Sequence, residues 1–457
     1  MVMYNEQPDF TSRSAIESYH TCPRLRWNQY HLLGKGVVGK ALSVPLVTGG
    51  SVHRGVEHLA NRVRIGQAPD LDTAVGLAVE EYEKECQDAG FSGRGLQTDQ
   101  QQWFTFNEQK ALVEGLIRAW GLIELPNIVQ RYKIVAVERE ILPVRLVENV
   151  YLQAKVDMEL QELATSDYYN YSLKTCNMWG ERSEQSYKSD LQGVTETWSI
   201  EQESIEKVRQ WKQLILGFER LSSIEQGRDA KLNAVLAYLQ KNAPDTRRLM
   251  GVRFCFLVKG IRKKPDYYAN NSNAPHITYS PLIRGYRYIT PSGTSYAHSW
   301  FYPNPDNKSG RSILGKGWEP FNVWESEISI KDWVNALYQN LIQPECGNVL
   351  QQNVITPPEY FRDDAEVAEA IRQVQAQEGY IAERLTLLDD AAKDSPDIFN
   401  EILGSTFPHR RKLCWFMYGE PCPYIPLCWK PEVAADPLGS GLYQIRVPHH
   451  LPEREES

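Results

Sequence analysis

Val150-Tyr151-Leu152-Gln153-Ala154-Lys155-Val156-Asp157-Met158-Glu159-Leu160-Gln161, followed after a short break by Tyr168-Tyr169-Asn170-Tyr171-Ser172-Leu173-Lys174-Thr175, decides how this chain is read. In the first run apolar and polar residues alternate, the period of a strand with one buried face. Asp167 falls in the turn, and the second run is a second strand, so the pair reads as a hairpin. Alternation predicts Asp157 and Glu159 on one face, and Ser172 and Lys174 on one face. A carboxylate beside a lysine on paired strands suits chemistry that needs a cation and a charge-stabilising ammonium.

Outward from the hairpin, helices are expected on both sides. Ser14-Ala15-Ile16-Glu17 is a capping-box pattern that predicts a helix start. Thr48-Gly49-Gly50-Ser51-Val52-His53 reads as a turn into a second helix, on which Glu57 shares a face with His53. Residues 70–125 read as helical, with Leu112, Leu116 and Trp120 at helical spacing and Pro126 as the stop. Residues 181–240 and 357–403 read as mostly helical. Residues 251–303 read as β-rich, with strands at Arg253–Val258 and Arg284–Tyr288, and residues 304–318 as loop.

The bulk numbers bound the class. The 457 residues are 42% hydrophobic and 24% charged, ordinary for a folded protein of one to three domains. No run of about 18 apolar residues exists, so no membrane span is expected. The first residues lack the charged and apolar parts of a secretion signal, which makes the cytoplasm the expected compartment. The net charge of -8 argues against coating nucleic acid by bulk charge, but leaves room for a local basic groove. Lys259, Arg262, Lys263 and Lys264 form one basic cluster, and Arg410, Arg411 and Lys412 another.

Four cysteines bracket the chain. Cys22 lies in Cys22-Pro23-Arg24-Leu25-Arg26; Cys414, Cys422 and Cys428 lie near the other end, the last two in Cys422-Pro423-Tyr424-Ile425-Pro426-Leu427-Cys428. A trio plus one distant partner reads as a single four-thiolate site joining both ends. Soft thiolates suit an iron–sulfur cluster or zinc. Cys86, Cys176, Cys255 and Cys346 have no partner at metal-ligand spacing.

Taken in order, these parts resemble the RecB-like, iron–sulfur branch of the PD-(D/E)XK nuclease superfamily: Cys-Pro-Arg, Gly-x-x-x-His, a strand with Asp, a strand ending Lys-Thr, a helix with Gln, and three closing cysteines. The AddB nuclease domain, the CRISPR-associated RecB-like exonucleases and phage relatives are of this kind. The resemblance covers residues 12–60, 134–200 and 407–430. It implies an α/β fold of restriction-endonuclease type: a central mixed sheet flanked by helices, a helical insertion, a β-rich insertion and a cysteine-rich C-terminal metal lid. The implied divisions are 12–60 and 131–250 for the nuclease core, 61–130 helical, 251–330 β-rich, 331–406 helical, 407–430 cluster-binding and 431–457 tail.

The same resemblance implies roles. His53 and Asp157 would hold Mg²⁺ or Mn²⁺, with Glu57 or Glu159 assisting. Lys174 would orient water, Gln192 would support the site, and Cys22, Cys414, Cys422 and Cys428 would bind a 4Fe-4S cluster. Tyr187 would shape the substrate groove; outside the resemblance, Lys316 and Trp318 are read as substrate contacts because a cation beside an aromatic ring suits phosphate pairing and base stacking. The implied partner is DNA, single-stranded or at ends, alongside recombination or phage replication proteins. One position departs from the pattern: the second carboxylate, two residues before the lysine, is Ser172. That leaves two functions open, a metal-dependent deoxyribonuclease and a catalytically silent DNA-binding or assembly subunit.

Overall fold

The computed structural model describes residues 9–41, 43–89, 100–176, 183, 187, 190–224, 230–244, 248–258, 354–361, 363–414, 421–448 and 450, with the strand segments 276–280, 285–289, 295–303 and 318–320. In chain order they form β1 (Asp9–Ser12), α1 (Arg13–Thr21), α2 (Pro23–Arg26), β2 (Val37–Gly39), α3 (Val44–Arg64), α4 (Leu71–Asp88), α5 (Gln100–Ala119) and α6 (Leu125–Arg131). Next come β3 (Tyr132–Val147), β4 (Val150–Glu162), β5 (Tyr168–Cys176), α7 (Leu191–Ile224), α8 (Ala230–Lys241), β6 (Leu249–Val258), β7 (His276–Ser280), β8 (Gly285–Ile289), β9 (Ser295–Pro303) and β10 (Trp318–Pro320). The chain closes with β11 (Val354–Ile355), α9 (Asp364–Asp394), α10 (Pro396–Thr406), α11 (Ile425–Trp429), α12 (Pro431–Ala435) and β12 (Tyr443–Ile445).

The fold is α/β, a mixed open sheet with helices on both faces. Six strands run in the order β1-β4-β5-β6-β11, with β3 also paired to β4. The expected hairpin is β4–β5, antiparallel from Met158↔Tyr171 to Gln161↔Tyr168. β1 is parallel to β4 and β5 is parallel to β6. On one face α3, α4, α5 and the turn Trp120–Glu124 that follows it bury Val52, Val56, Ala78, Tyr82, Leu116 and Trp120 against Met158, Leu160, Tyr171 and Leu173. Trp120 Nε1 donates to Tyr171 Oη at 2.8 Å, so the deepest ring pair is also satisfied as a polar pair. The opposite face carries α1, α7 and α9, through Ile16, Ile200 and Val374. A separate antiparallel sheet, β10-β9-β8-β7, lies in the β-rich region.

Three local expectations shift. The first helix starts at Arg13, because Ser12 rather than Ser14 caps it, accepting the Ala15 N–H at 3.4 Å. The Gly49-Gly50 pair lies inside α3, not before it. Glycine inside a helix costs about 1 kcal/mol relative to alanine. At Gly49 a Cβ would stand 3.1 Å from Thr175 Oγ1, so the small residue lets the helix approach β5. Pro126 opens α6 rather than ending the block, since a proline is tolerated in a helix's first turn.

The two ends of the described chain meet. β12 pairs antiparallel with β2, from Tyr443↔Gly39 to Ile445↔Val37. Tyr424 Oη donates to the Val37 carbonyl at 2.7 Å, and Arg24 Nε donates to the Phe407 carbonyl at 2.9 Å. Arg26 is buried with Glu378 of α9 at 3.0 Å, and both side chains are 2% exposed. Among the described residues no helix is long and apolar enough to cross a membrane.

Candidate metal centre

The site arises from the way β4 shares its edges. β3 runs along its whole length on one edge. The other edge pairs with β1 only over Val150–Gln153 and with β5 only over Met158–Gln161. Residues 154–157 therefore face a fork between β1 and β5. Backbone groups at a fork lack ladder partners and must find others. Asp157 Oδ2 takes the Leu173 N–H at 2.6 Å, which ties the carboxylate to the splayed strand.

At the fork both strands exchange faces. Leu152, Ala154 and Val156 pack toward α7 and α9, whereas Met158 and Leu160 pack toward α3–α5. In β3 Ile134 and Val137 pack on the α3–α5 core, but Arg139 reaches Glu203 of α7 and Ile141 packs with Ile200. The switch falls at Glu138, which lies opposite Asp157 between the pairs Val137↔Met158 and Arg139↔Val156. Glu138 has φ +47°, a left-handed conformation that costs a non-glycine residue about 1–3 kcal/mol. The strained residue re-aims its side chain, as a bulge does.

That geometry gathers three ligands. His53 Nδ1 lies 3.4 Å from Asp157 Oδ1 and 3.7 Å from Glu138 Oε1. One donor atom from each of His53, Glu138 and Asp157 falls within 4.8 Å of the others. Lys155 Nζ supports Glu138 Oε2 at 2.7 Å. Burial opposes charging His53, but the Asp157 and Glu138 carboxylates outweigh it and lift its pKa to about 10. Burial likewise opposes ionised Asp157, yet His53, Lys174 and the Leu173 N–H hold its pKa below the usual value. A proton on His53 thus stands between two carboxylates, where a cation would offset the same charge. One imidazole nitrogen with carboxylate oxygens suits Mn²⁺ or Mg²⁺.

The trio lines an open cleft of about 630 Å³ that Lys174, Gln192 and Glu196 also line. Lys174 Nζ donates to Gln192 Oε1. Burial, then the nearby Arg13, lowers the Lys174 pKa. Ser172 is fully buried, and its Oγ has no hydrogen-bond partner among the described residues. Burial, then the Asp157 charge, lifts Glu196 to about 7.

The structure brings His53, Asp157, Lys174 and Gln192 together and leaves other expected residues elsewhere. Glu57 lines the cleft but pairs with Arg54 at 2.8 Å. Glu159 does not share a face with Asp157, because the alternation breaks between them. It is 1% exposed and ion-paired with Arg139, which also holds Glu203 at 2.8 Å. Tyr187 is buried against Phe254, Phe256 and Tyr360 rather than on the cleft wall. Trp318 opens β10; Lys316, Cys346 and the cluster Lys259, Arg262, Lys263 and Lys264 lie outside the described residues. The sequence reading passed over Glu138 and Glu196. The β-branched run before Glu138 marks its strand, but only the register of β3 on β4 sets it opposite Asp157.

The four expected cluster cysteines lie in one neighbourhood, but among the described residues no three of their sulfurs close within 4.8 Å as the ligand atoms of the His53 trio do. Cys22, Cys422 and Cys428 pack on a small core of Leu25, Val37, Tyr424, Leu427, Val433 and Tyr443. Cys22 Sγ accepts the Arg410 N–H, and Cys428 Sγ accepts from Asn28 Nδ2, each at 3.5 Å. The Cys422 N–H donates to the Cys414 carbonyl at 2.8 Å. Burial raises the Cys422 thiol pKa, and the nearby Cys414 and Cys22 raise it further. Burial pushes Cys428 to about 11, with Cys422 and Cys22 adding to the rise. Soft metal binding would displace those thiol protons. No protein-family model matches this chain, and no curated protein matches it either.

Proposed function

We propose that this chain is a RecB-like PD-(D/E)XK deoxyribonuclease, cutting single-stranded DNA or DNA ends with Mn²⁺ or Mg²⁺, in recombination, repair or phage DNA processing. The observation that carries the reading is the fork that sets Glu138, Asp157 and His53 within 4.8 Å of one another on the wall of the Lys174 cleft. A divalent cation supplies positive charge against the phosphate and makes water acidic enough to attack. His53, Glu138 and Asp157 hold it. Lys174, kept in place by Gln192, offers a cation on the cleft wall toward charge developing on phosphate oxygens. In the finer fold reading, the strands and helices of residues 12–60 and 131–250 are a restriction-endonuclease-like core. Residues 407–430 close it as a thiolate lid over a 4Fe-4S cluster held by Cys22, Cys414, Cys422 and Cys428.

Labelled single-stranded DNA incubated with Mn²⁺ and anaerobically purified protein tests this. Cleavage by the wild type, lost in Asp157→Asn and in Lys174→Ala, supports the enzyme. The buried Ser172 hydroxyl, without a partner among the described residues, favours a second reading, a silent DNA-binding or assembly subunit. Cleavage by Ser172→Asp and not by the wild type would select it. An absorbance band near 400 nm in the anaerobic protein separates a cluster from zinc. DNA retention that weakens steeply with salt is expected under either reading.

A further inference from the structure

We propose that Glu196, carried on α7, supplies a further carboxylate to the cation site, beside Asp157 and Glu138, in place of the strand residue at position 172. The inference deepens the nuclease reading and rests on it. A strand presents every second residue to one face. Asn170, Ser172 and Lys174 therefore share the face under α7. The outer two prove the direction: Asn170 Nδ2 donates to Glu196 Oε2 at 2.6 Å, and Lys174 Nζ donates to Gln192 Oε1. Between them Ser172 Oγ is fully buried and has no hydrogen-bond partner among the described residues, a polar atom on the same helix-facing side. Serine lacks the charge and the reach of a carboxylate at that place. Glu196 restores both from the opposite side of the gap.

The carboxylate is aimed rather than loose. Gln192 Nε2 donates to Glu196 Oε1 at 2.5 Å, and Asn170 takes the other oxygen. Each carboxylate oxygen has two lone pairs, so one remains on each for a cation or its water. Gln192 thus holds Lys174 and Glu196 at once. Glu196 lies outside the set of ligand atoms that close within 4.8 Å around His53. It therefore serves the cation from the Lys174 side of Asp157, the side that a carboxylate at 172 would serve. No comparable role exists for Glu159, which is neutralised by Arg139.

Mn²⁺ titration of the full chain tests the inference. Glu196→Gln is expected to weaken Mn²⁺ binding by about tenfold or more, since even supporting partners of metal ligands register on that scale. Ser172→Asp in the Glu196→Gln background is expected to restore it by returning the charge to the strand. Wild-type Mn²⁺ affinity in Glu196→Gln overturns the inference, as does failure of the rescue in a folded double variant. If Glu196→Gln does not fold, wild-type crystals soaked in Mn²⁺ decide. Anomalous density within about 2.2 Å of a Glu196 oxygen supports it, and density only between His53, Glu138 and Asp157 overturns it. Asp157→Asn separates the two levels. If it leaves Mn²⁺ binding unchanged, the cation centre itself fails; if it abolishes binding while Glu196→Gln does not, only the role of Glu196 fails.

Discussion

The carboxylate fork and the thiol corner solve opposite problems with the same chain. The fork sets two carboxylates, Glu138 and Asp157, in an open cleft by the topology of one sheet, and α3 adds the His53 imidazole. The corner puts sulfurs against a small apolar core and joins residue 22 to residues 414–428. On the proposed reading, hard donors in an open cleft would serve chemistry, at a cost in strain visible at Glu138. On the proposed reading, soft donors in an apolar setting would serve cohesion, because metal binding there would be coupled to holding the chain ends together. Damage to the fork should therefore be felt in rate, and damage to the thiol corner in folding.

The largest expected effect is the sharpest test of that split. Asp157→Asn keeps the Leu173 N–H acceptor but removes the charge shared with His53. It should lower Mn²⁺-dependent cleavage by about three orders of magnitude with little change in melting temperature. The paired variant Cys422→Ser/Cys428→Ser should do the reverse, lowering melting temperature in the anaerobic protein before it alters turnover per folded molecule. Equal losses of melting temperature in both variants would erase the distinction.

Arg26→Ala is next in size. It breaks the buried pair with Glu378 and leaves that carboxylate uncompensated, at a cost of about 3–5 kcal/mol. Arg26 follows the Cys-Pro-Arg segment, so the loss should appear as unfolding at lower urea and should loosen the thiol corner. Arg26→Met with Glu378→Leu should recover most of it.

The fork carries its own pH signature in metal-free protein. His53 has a folded pKa of about 10 against an ordinary 6.5. Its stabilising contribution is complete below pH 6.5 and is lost as pH rises through about 10. Stability should fall steadily across that window. Urea unfolding between pH 6 and 10 reads it, and His53→Gln should flatten the curve.

Much of this contrast could be read before any coordinates, and what could not has local causes. The β4–β5 hairpin follows from alternation and a turn. The Cys22 and Cys428 neighbourhoods follow from proline-flanked spacing. Glu159 misleads because the same alternation fails for one step, where β3 and β4 swap faces at a left-handed glutamate. No single-strand pattern reports that, since it belongs to a pair of strands. Glu138 is hidden for the same reason. Gly49 reads as a turn because its role, close approach to Thr175, lies in tertiary packing rather than in its own neighbours.

The smallest effect tests whether nearness to the fork is enough. Glu57 lines the cleft one helical turn from His53, yet its carboxylate is held by Arg54 on the same helix. Such i,i+3 pairs are worth about 0.3–0.5 kcal/mol. Glu57→Gln should therefore change stability by no more than that. It should leave the Mn²⁺ dependence of cleavage unchanged, because the third ligand position is already filled by Glu138. A large shift in Mn²⁺ dependence in Glu57→Gln, with none in Glu138→Gln, would move the ligand set back onto α3. It would also mean that the strain at Glu138 serves packing alone. With the expected order, Glu138 strong and Glu57 silent, the left-handed residue in β3 is what turns a pair of strands into a cation site.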